Sequence, residues 1–155
     1  MTATIVLSAI AAPTPSIDGE LLAAFERLMP QLAPTAPIPT REELHAMLAQ
    51  DGTTLLVARD RAQCGRIVGM LTLTCQRIPT GLRATIDDVV VDEAVRGRGV
   101  GAALTREALQ LAKSRGAQTV DLTSRPSREA ANRLYRRLGF TPRDTNVYRF
   151  VFDEP

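Results

Sequence analysis

The spacing of apolar residues changes several times along the chain, and each change marks a new element. "TATIVLSAI" is rich in β-branched residues and predicts a first strand, which Pro13 and Pro15 end. From Ser16 to Leu32 the spacing lengthens. Leu21, Leu22, Phe25, Leu28 and Leu32 recur every three or four residues, the stripe of a helix, with Ser16 or Asp18 as its cap. The prolines of "APTAPIPT" forbid regular structure. Thr40 followed by Glu43 forms a capping box, which predicts a second helix over "REELHAMLAQ" that stops before Asp51-Gly52.

The period then shortens. "TTLLVAR" and "GRIVGMLTLTCQRI" flank the polar turn "DRAQC", which predicts a hairpin, and "LRATIDDVVVD" follows the turn Pro79-Thr80-Gly81 as a further strand. Leu104, Ala108 and Leu111 share one helical face, and Gly116 suits the stop. "AQTVDLTSR" predicts a short buried strand. Pro126 and Ser127 open a helix over "SREAANRLYRRL" that ends at Gly139, and "TNVYRFVF" alternates as a last strand. Residues 1–155 therefore read as a single α+β domain, with helices too few and too unevenly placed for a doubly wound sheet.

Composition narrows the function classes. A chain of 155 residues with 45% hydrophobic and 23% charged residues is an ordinary globular domain. A net charge of +2 and 4% aromatic residues argue against a nucleic-acid partner, the arginines of 125–137 notwithstanding. Cys64 and Cys75 have no metal-like spacing and read as two buried free thiols, so no metal is expected. No apolar run reaches the ~20 residues of a membrane span. "MTATIVLSAIAAPTPS" lacks the basic start of a secretory signal, and the chain reads as cytoplasmic.

The candidate chemistry lies in "VVVDEAVRGRGVGAAL", where Gly97, Gly99 and Gly101 stand between a strand and a helix. A tight turn explains one such glycine. Three in alternation leave a run of unobstructed N–H groups at the positive end of a helix, suited to an anion, with Arg96 and Arg98 adding charge. The dinucleotide fingerprint needs a different glycine spacing, and the phosphate loop needs a Gly-Lys-Ser/Thr that is not here.

"VRGRGVGAAL" resembles the pyrophosphate-binding segment of the GNAT superfamily of acyl-CoA-dependent N-acetyltransferases, with Arg96, Gly99 and Gly101 at its signature positions. "GRIVGMLTLT" resembles that family's central hairpin, and "ANRLYRRLGF" its closing Leu-Tyr-x-x-x-Gly-Phe segment, so the likeness runs over roughly residues 53 to 152. It implies a twisted, mixed and mostly antiparallel sheet flanked by helices and splayed between the fourth and fifth strands. Residues 1–52 would shape the acceptor side and 53–155 the acetyl-CoA-binding core.

The same resemblance implies the site. The main chain of Val89, Val90 and Val91 would pair with the pantetheine arm, one N–H near Val89 polarising the thioester carbonyl. The amides of Gly97, Arg98, Gly99, Val100 and Gly101 would hold the diphosphate, helped by the side chain of Arg96 or Arg98. Tyr135 would be the general acid. Many members carry Asn seven residues before that Tyr. Here the position is Arg128, and the nearby Asn132 shares a helical face with it and with Tyr135. Asp87 and Asp88 are the candidate bases, sent to opposite faces by strand alternation. His45, the lone histidine, reads as a surface or packing residue. The acceptor is a small-molecule amine or a peptide or protein amine, and a homodimer is admitted. The alternative is a non-catalytic acyl-CoA-binding module on the same fold.

Overall fold

The computed structural model describes residues 4–152, and these form two compact units that divide after Ser124. The first contains β1 (Ile5–Ala11), α1 (Gly19–Leu32), α2 (Arg41–Leu48), β2 (Thr53–Asp60), β3 (Arg66–Ile78), β4 (Gly81–Val91), α3 (Val100–Ser114) and β5 (Val120–Leu122). The second contains α4 (Glu129–Arg137). The first two residues of the expected opening strand lie outside the described residues.

The sheet runs β1-β2-β3-β4-β5, antiparallel throughout except for the last pair, β4 with β5, which is parallel. β2 is buried along almost its whole length, as a central strand covered on both faces must be. Leu55 and Val57 join Leu21, Phe25 and Leu28 of α1 and Leu44 and Leu48 of α2 in one core cluster. The opposite face of the sheet takes α3 through Val100, Leu104 and Ala108, all buried. Gly69 of β3 makes that approach close: an added Cβ would stand 3.0 Å from Val100 Cγ1 and 3.1 Å from Leu104 Cδ1. The start of α3 is thus seated on the sheet by a missing side chain.

Both N-terminal helices begin where the caps predict. Asp18 Oδ1 accepts from the Leu21 amide at 2.8 Å, so Asp18 rather than Ser16 is the cap of α1. Thr40 and Glu43 form the reciprocal capping box of α2.

Four expectations are corrected. Cys64 is exposed in the β2–β3 turn, where it takes a left-handed conformation, and only Cys75 is a buried thiol. The short buried strand expected within 117–125 narrows to three paired residues, none of them fully buried. α4 starts at Glu129, and the side chain of Arg128 at its N-cap does not cap the helix. Residues 145–152 form no strand: Val147, Tyr148, Phe150, Val151 and Phe152 are all exposed. Alternation describes which faces a strand would show, whereas a strand exists only where a neighbour completes its ladder. Among the described residues no helix is long and apolar enough to cross a membrane.

Candidate functional site

β4 and β5 are paired only at Ala84–Val120, Thr85–Asp121 and Ile86–Leu122. β4 continues five residues further, to Val91, with no β5 partner among the described residues. Beyond Ile86, residues 87–91 have no β5 strand beside them, although the Val91 carbonyl accepts from Arg96 Nε, while Val90 and Val91 stay registered with Met70 and Gly69 of β3.

The opening coincides with a bulge. Thr72 faces Asp87 and Met70 faces Val90, which leaves Asp88 and Val89 together opposite Leu71. Asp88 absorbs the extra residue at φ 51°, a left-handed conformation rare outside glycine. Simple alternation therefore fails here, and both carboxylates are exposed. Desolvation of its carboxyl, and then the charge of Asp88 beside it, hold the pKa of Asp87 above the ordinary carboxylate value. Replacing Asp88 with glycine removes the backbone strain at the cost of a freer unfolded chain; Asp88→Gly is expected to raise stability by a few tenths of a kcal/mol at most, read as a small increase in Tm.

The glycine turn follows the strand closely. Asp92 is buried, and its Oδ1 accepts from the Ala94 amide at 3.1 Å, which closes the short helical turn Glu93–Val95. The Glu93 amide donates to Gln31 Oε1 at 2.9 Å, tying the segment to α1. Gly97 and Gly99 then adopt φ 78° and 80°, and an added Cβ at either would meet nothing within 4 Å. The glycines are there for the backbone conformation, and the space they leave is open. Gly99 brings no capping side chain to α3, so the first amides of that helix are left for an outside acceptor. Residues 97–101 thus fit an oxyanion group such as a diphosphate.

Both nearby arginines already have protein partners. Arg96 Nε donates to the Val91 carbonyl at 3.2 Å. Arg98 Nη1 donates to Asp60 Oδ2 at 3.2 Å, and Asp60 is 1% exposed. In the sequence Asp60 stands only as the first residue of a polar turn, and Gln31 as one more residue of a helix. A charged side chain at the end of an otherwise buried strand is the signal that marks Asp60 out. Among the described residues no cluster of three or more metal-ligating side chains occurs.

The remaining candidates lie in the second unit. The Asn132 side chain donates to the Arg125 carbonyl at 2.9 Å, one turn ahead of the helix, and the Asn132 amide donates to the Arg128 carbonyl at 3.0 Å. Asn132 is therefore engaged in building the entry to α4. Gly139 at φ 96° stops the helix, and the Phe140 amide donates back to the Tyr135 carbonyl at 3.0 Å. That closure lays the Phe140 ring edge-on to Tyr135, with centroids 5.7 Å apart. The Gly-Phe of "LYRRLGF" is thus a helix stop that orients the tyrosine. Burial raises the pKa of Tyr135, and the positive charge of Arg128 opposes part of that rise. His45 is exposed.

A mixed sheet whose parallel pair parts beside a glycine turn and helix start is the layout of the acyl-CoA-dependent transferase fold. Residues 20–140 match the model of the Acetyltransferase (GNAT) family, and the chain belongs to that family. It is similar to glucosamine 6-phosphate N-acetyltransferase 1 of Oryza sativa subsp. japonica, at 30% identity over 79% of this chain and 76% of that one. It is 35% identical to an uncharacterized N-acetyltransferase of Methanocaldococcus jannaschii, over 52% of this chain. The matches span 37% of the length of that relative, and 49% and 52% of two others. A crystal structure of an acetyltransferase from Trypanosoma brucei superposes with a TM-score of 0.75 at 25% identity, covering 95% of this chain and 99% of the other. An aminoglycoside acetyltransferase from an uncultured soil metagenomic sample reaches 0.77 at 22% identity over 97% of each chain, a likeness of fold.

Proposed function

We propose that this chain is an N-acetyltransferase that carries an acetyl group from acetyl-CoA to a primary amine by direct attack in a ternary complex. The observation that carries the reading is the end of β4 beyond its β5 partner, followed after the short turn Glu93–Val95 by the glycine turn. An extended arm with a diphosphate at its end matches both in order. Membership of the family supports it.

Acetyl-CoA supplies an activated acyl group, a thioester with a good leaving group. The chain's own residues do the rest. The amides from Gly97 to Gly101 hold the diphosphate. The main chain of Val89 to Val91 aligns the pantetheine arm by strand-like pairing, the Val91 carbonyl being shared with Arg96 Nε, and an N–H near Val89 polarises the thioester carbonyl. Tyr135 holds the proton that the departing sulfur takes. Asp87 takes the proton of the attacking amine, directly or through water. An alkyl ammonium has a pKa near ~10 and must lose that proton before it can attack.

Asp87 gives a prediction with a definite sign. A base works only when ionised, so the rate should fall as pH drops through its raised folded-state pKa. Asp87→Asn should lower kcat by about a hundredfold and remove that acid limb. The same raised pKa means that the ionised carboxylate costs stability above its unfolded-state pKa. Asp87→Asn should therefore raise Tm at neutral pH, with the gain vanishing in acid where both states are protonated. Equal acid limbs in the variant and the parent would remove Asp87 from the mechanism.

The experiment for the whole reading is free-thiol release from acetyl-CoA across a panel of amines: glucosamine 6-phosphate, aminoglycosides, polyamines, amino acids and peptide N-termini. Amine-dependent release with a mass gain of one acetyl group on the acceptor is the expected result. Coenzyme binding without release on any amine would favour a non-catalytic acyl-CoA-binding module.

A further inference from the structure

We infer that Asp60, at the far end of β2 and outside the coenzyme-contacting segments, is the positioning residue of the glycine turn. It acts by holding Arg98. Three hydrogen bonds converge on its carboxylate. Oδ1 accepts from the Ala62 amide at 3.0 Å, and Oδ2 accepts from Gln63 Nε2 at 3.0 Å and from Arg98 Nη1 at 3.2 Å. The main chain of Asp60 is fixed as well. It sits in register with Ile5 of β1 and Arg66 of β3, and its carbonyl accepts from the Gly65 amide at 3.0 Å. The carboxylate is therefore a rigid post rather than a mobile surface acid.

Arg98 stands between Gly97 and Gly99, both of which have a positive φ. Glycines on both sides leave the turn with many accessible conformations, and nothing in their own side chains selects one. The Arg98 guanidinium, pinned 38 residues away in sequence, makes that selection. Its side chain remains 40% exposed, so the pin is a charged hydrogen bond at the edge of the fold and not part of the apolar core. Arg98 thus orders the amides of the turn before any ligand arrives, and pre-organised donors bind an anion more tightly than donors that must be gathered.

This inference rests on the reading of the turn as the diphosphate site, and the test separates the two. The dissociation constant of coenzyme A is measured by calorimetry, and KM is measured for acetyl-CoA and for S-acetyl-pantetheine, which lacks the diphosphate. Asp60→Asn keeps the size of the side chain and removes its charge. It should weaken coenzyme binding and raise KM for acetyl-CoA by about tenfold while leaving kcat and the S-acetyl-pantetheine KM within about twofold. Arg98→Gln should raise KM for acetyl-CoA at least as far, and Asp60→Glu, which keeps the charge but displaces the carboxylate from Arg98, carries the test if Asp60→Asn fails to fold. The double variant should be no weaker than Arg98→Gln alone. Unchanged acetyl-CoA parameters in a folded variant, or equal losses with both thioesters, would overturn the role of Asp60. A parent protein with no affinity for coenzyme A would instead overturn the reading of the turn.

Discussion

Gly101→Glu should abolish coenzyme binding while leaving the protein as stable as before or more so. The two effects have opposite signs because they draw on different properties of one position. Gly101 is the second residue of α3, where glycine is a poorer helix former than glutamate by a few tenths of a kcal/mol. A carboxylate in the first turn also gains a few tenths of a kcal/mol against the helix dipole. The same charge, placed among amides proposed to hold a diphosphate, should cost several kcal/mol of binding by like-charge repulsion. Affinity for coenzyme A should therefore fall by more than about a hundredfold, with Tm unchanged or raised. A purely structural glycine would give the reverse pattern, a lower Tm with binding retained in the folded fraction. Titration calorimetry and a thermal melt on the same sample distinguish the two.

Tyr135→Phe should lower kcat by about a hundredfold and leave KM for acetyl-CoA within about twofold. The substitution keeps the ring, and with it the edge-on contact to Phe140 and the closure of α4. What it removes is one proton donor. Burial holds the Tyr135 phenol protonated beyond its ordinary range, so the parent should keep its rate into mildly alkaline solution. As pH rises further the phenol ionises and can no longer donate, which predicts a basic limb in kcat that Tyr135→Phe lacks. Unchanged turnover with an unchanged pH profile would leave the tyrosine a packing residue.

Local chemistry makes part of the fold legible in the amino-acid sequence. The Thr40–Glu43 box, the helical stripe of α1 and the meander of β2, β3 and β4 are each written in residues close along the chain. So is the glycine turn, because a positive φ leaves its mark as glycine. The bulge at Asp88 leaves no such mark: the strained residue is an aspartate, and the extra residue shows only against the partner strand. The short pairing of β5 and the unpaired tail are illegible for a related reason, since alternation carries no information about the neighbour. The bond from Arg98 to Asp60 joins residues that no local pattern connects. Pairwise, long-range contacts of this kind decide how the candidate site is held, while its existence is readable from the short run "RGRGVG".

The central claim is that the amides between Gly97 and Gly101 receive the diphosphate of the coenzyme. Its most direct measurement is a titration of the 15N-labelled protein with coenzyme A and, separately, with pantetheine, following each backbone amide by NMR. Large, saturable shifts are expected at Gly97, Gly99, Val100 and Gly101 with coenzyme A, and shifts confined to residues near Val89 to Val91 with pantetheine. Saturable binding of coenzyme A that leaves the four turn amides unmoved would contradict it.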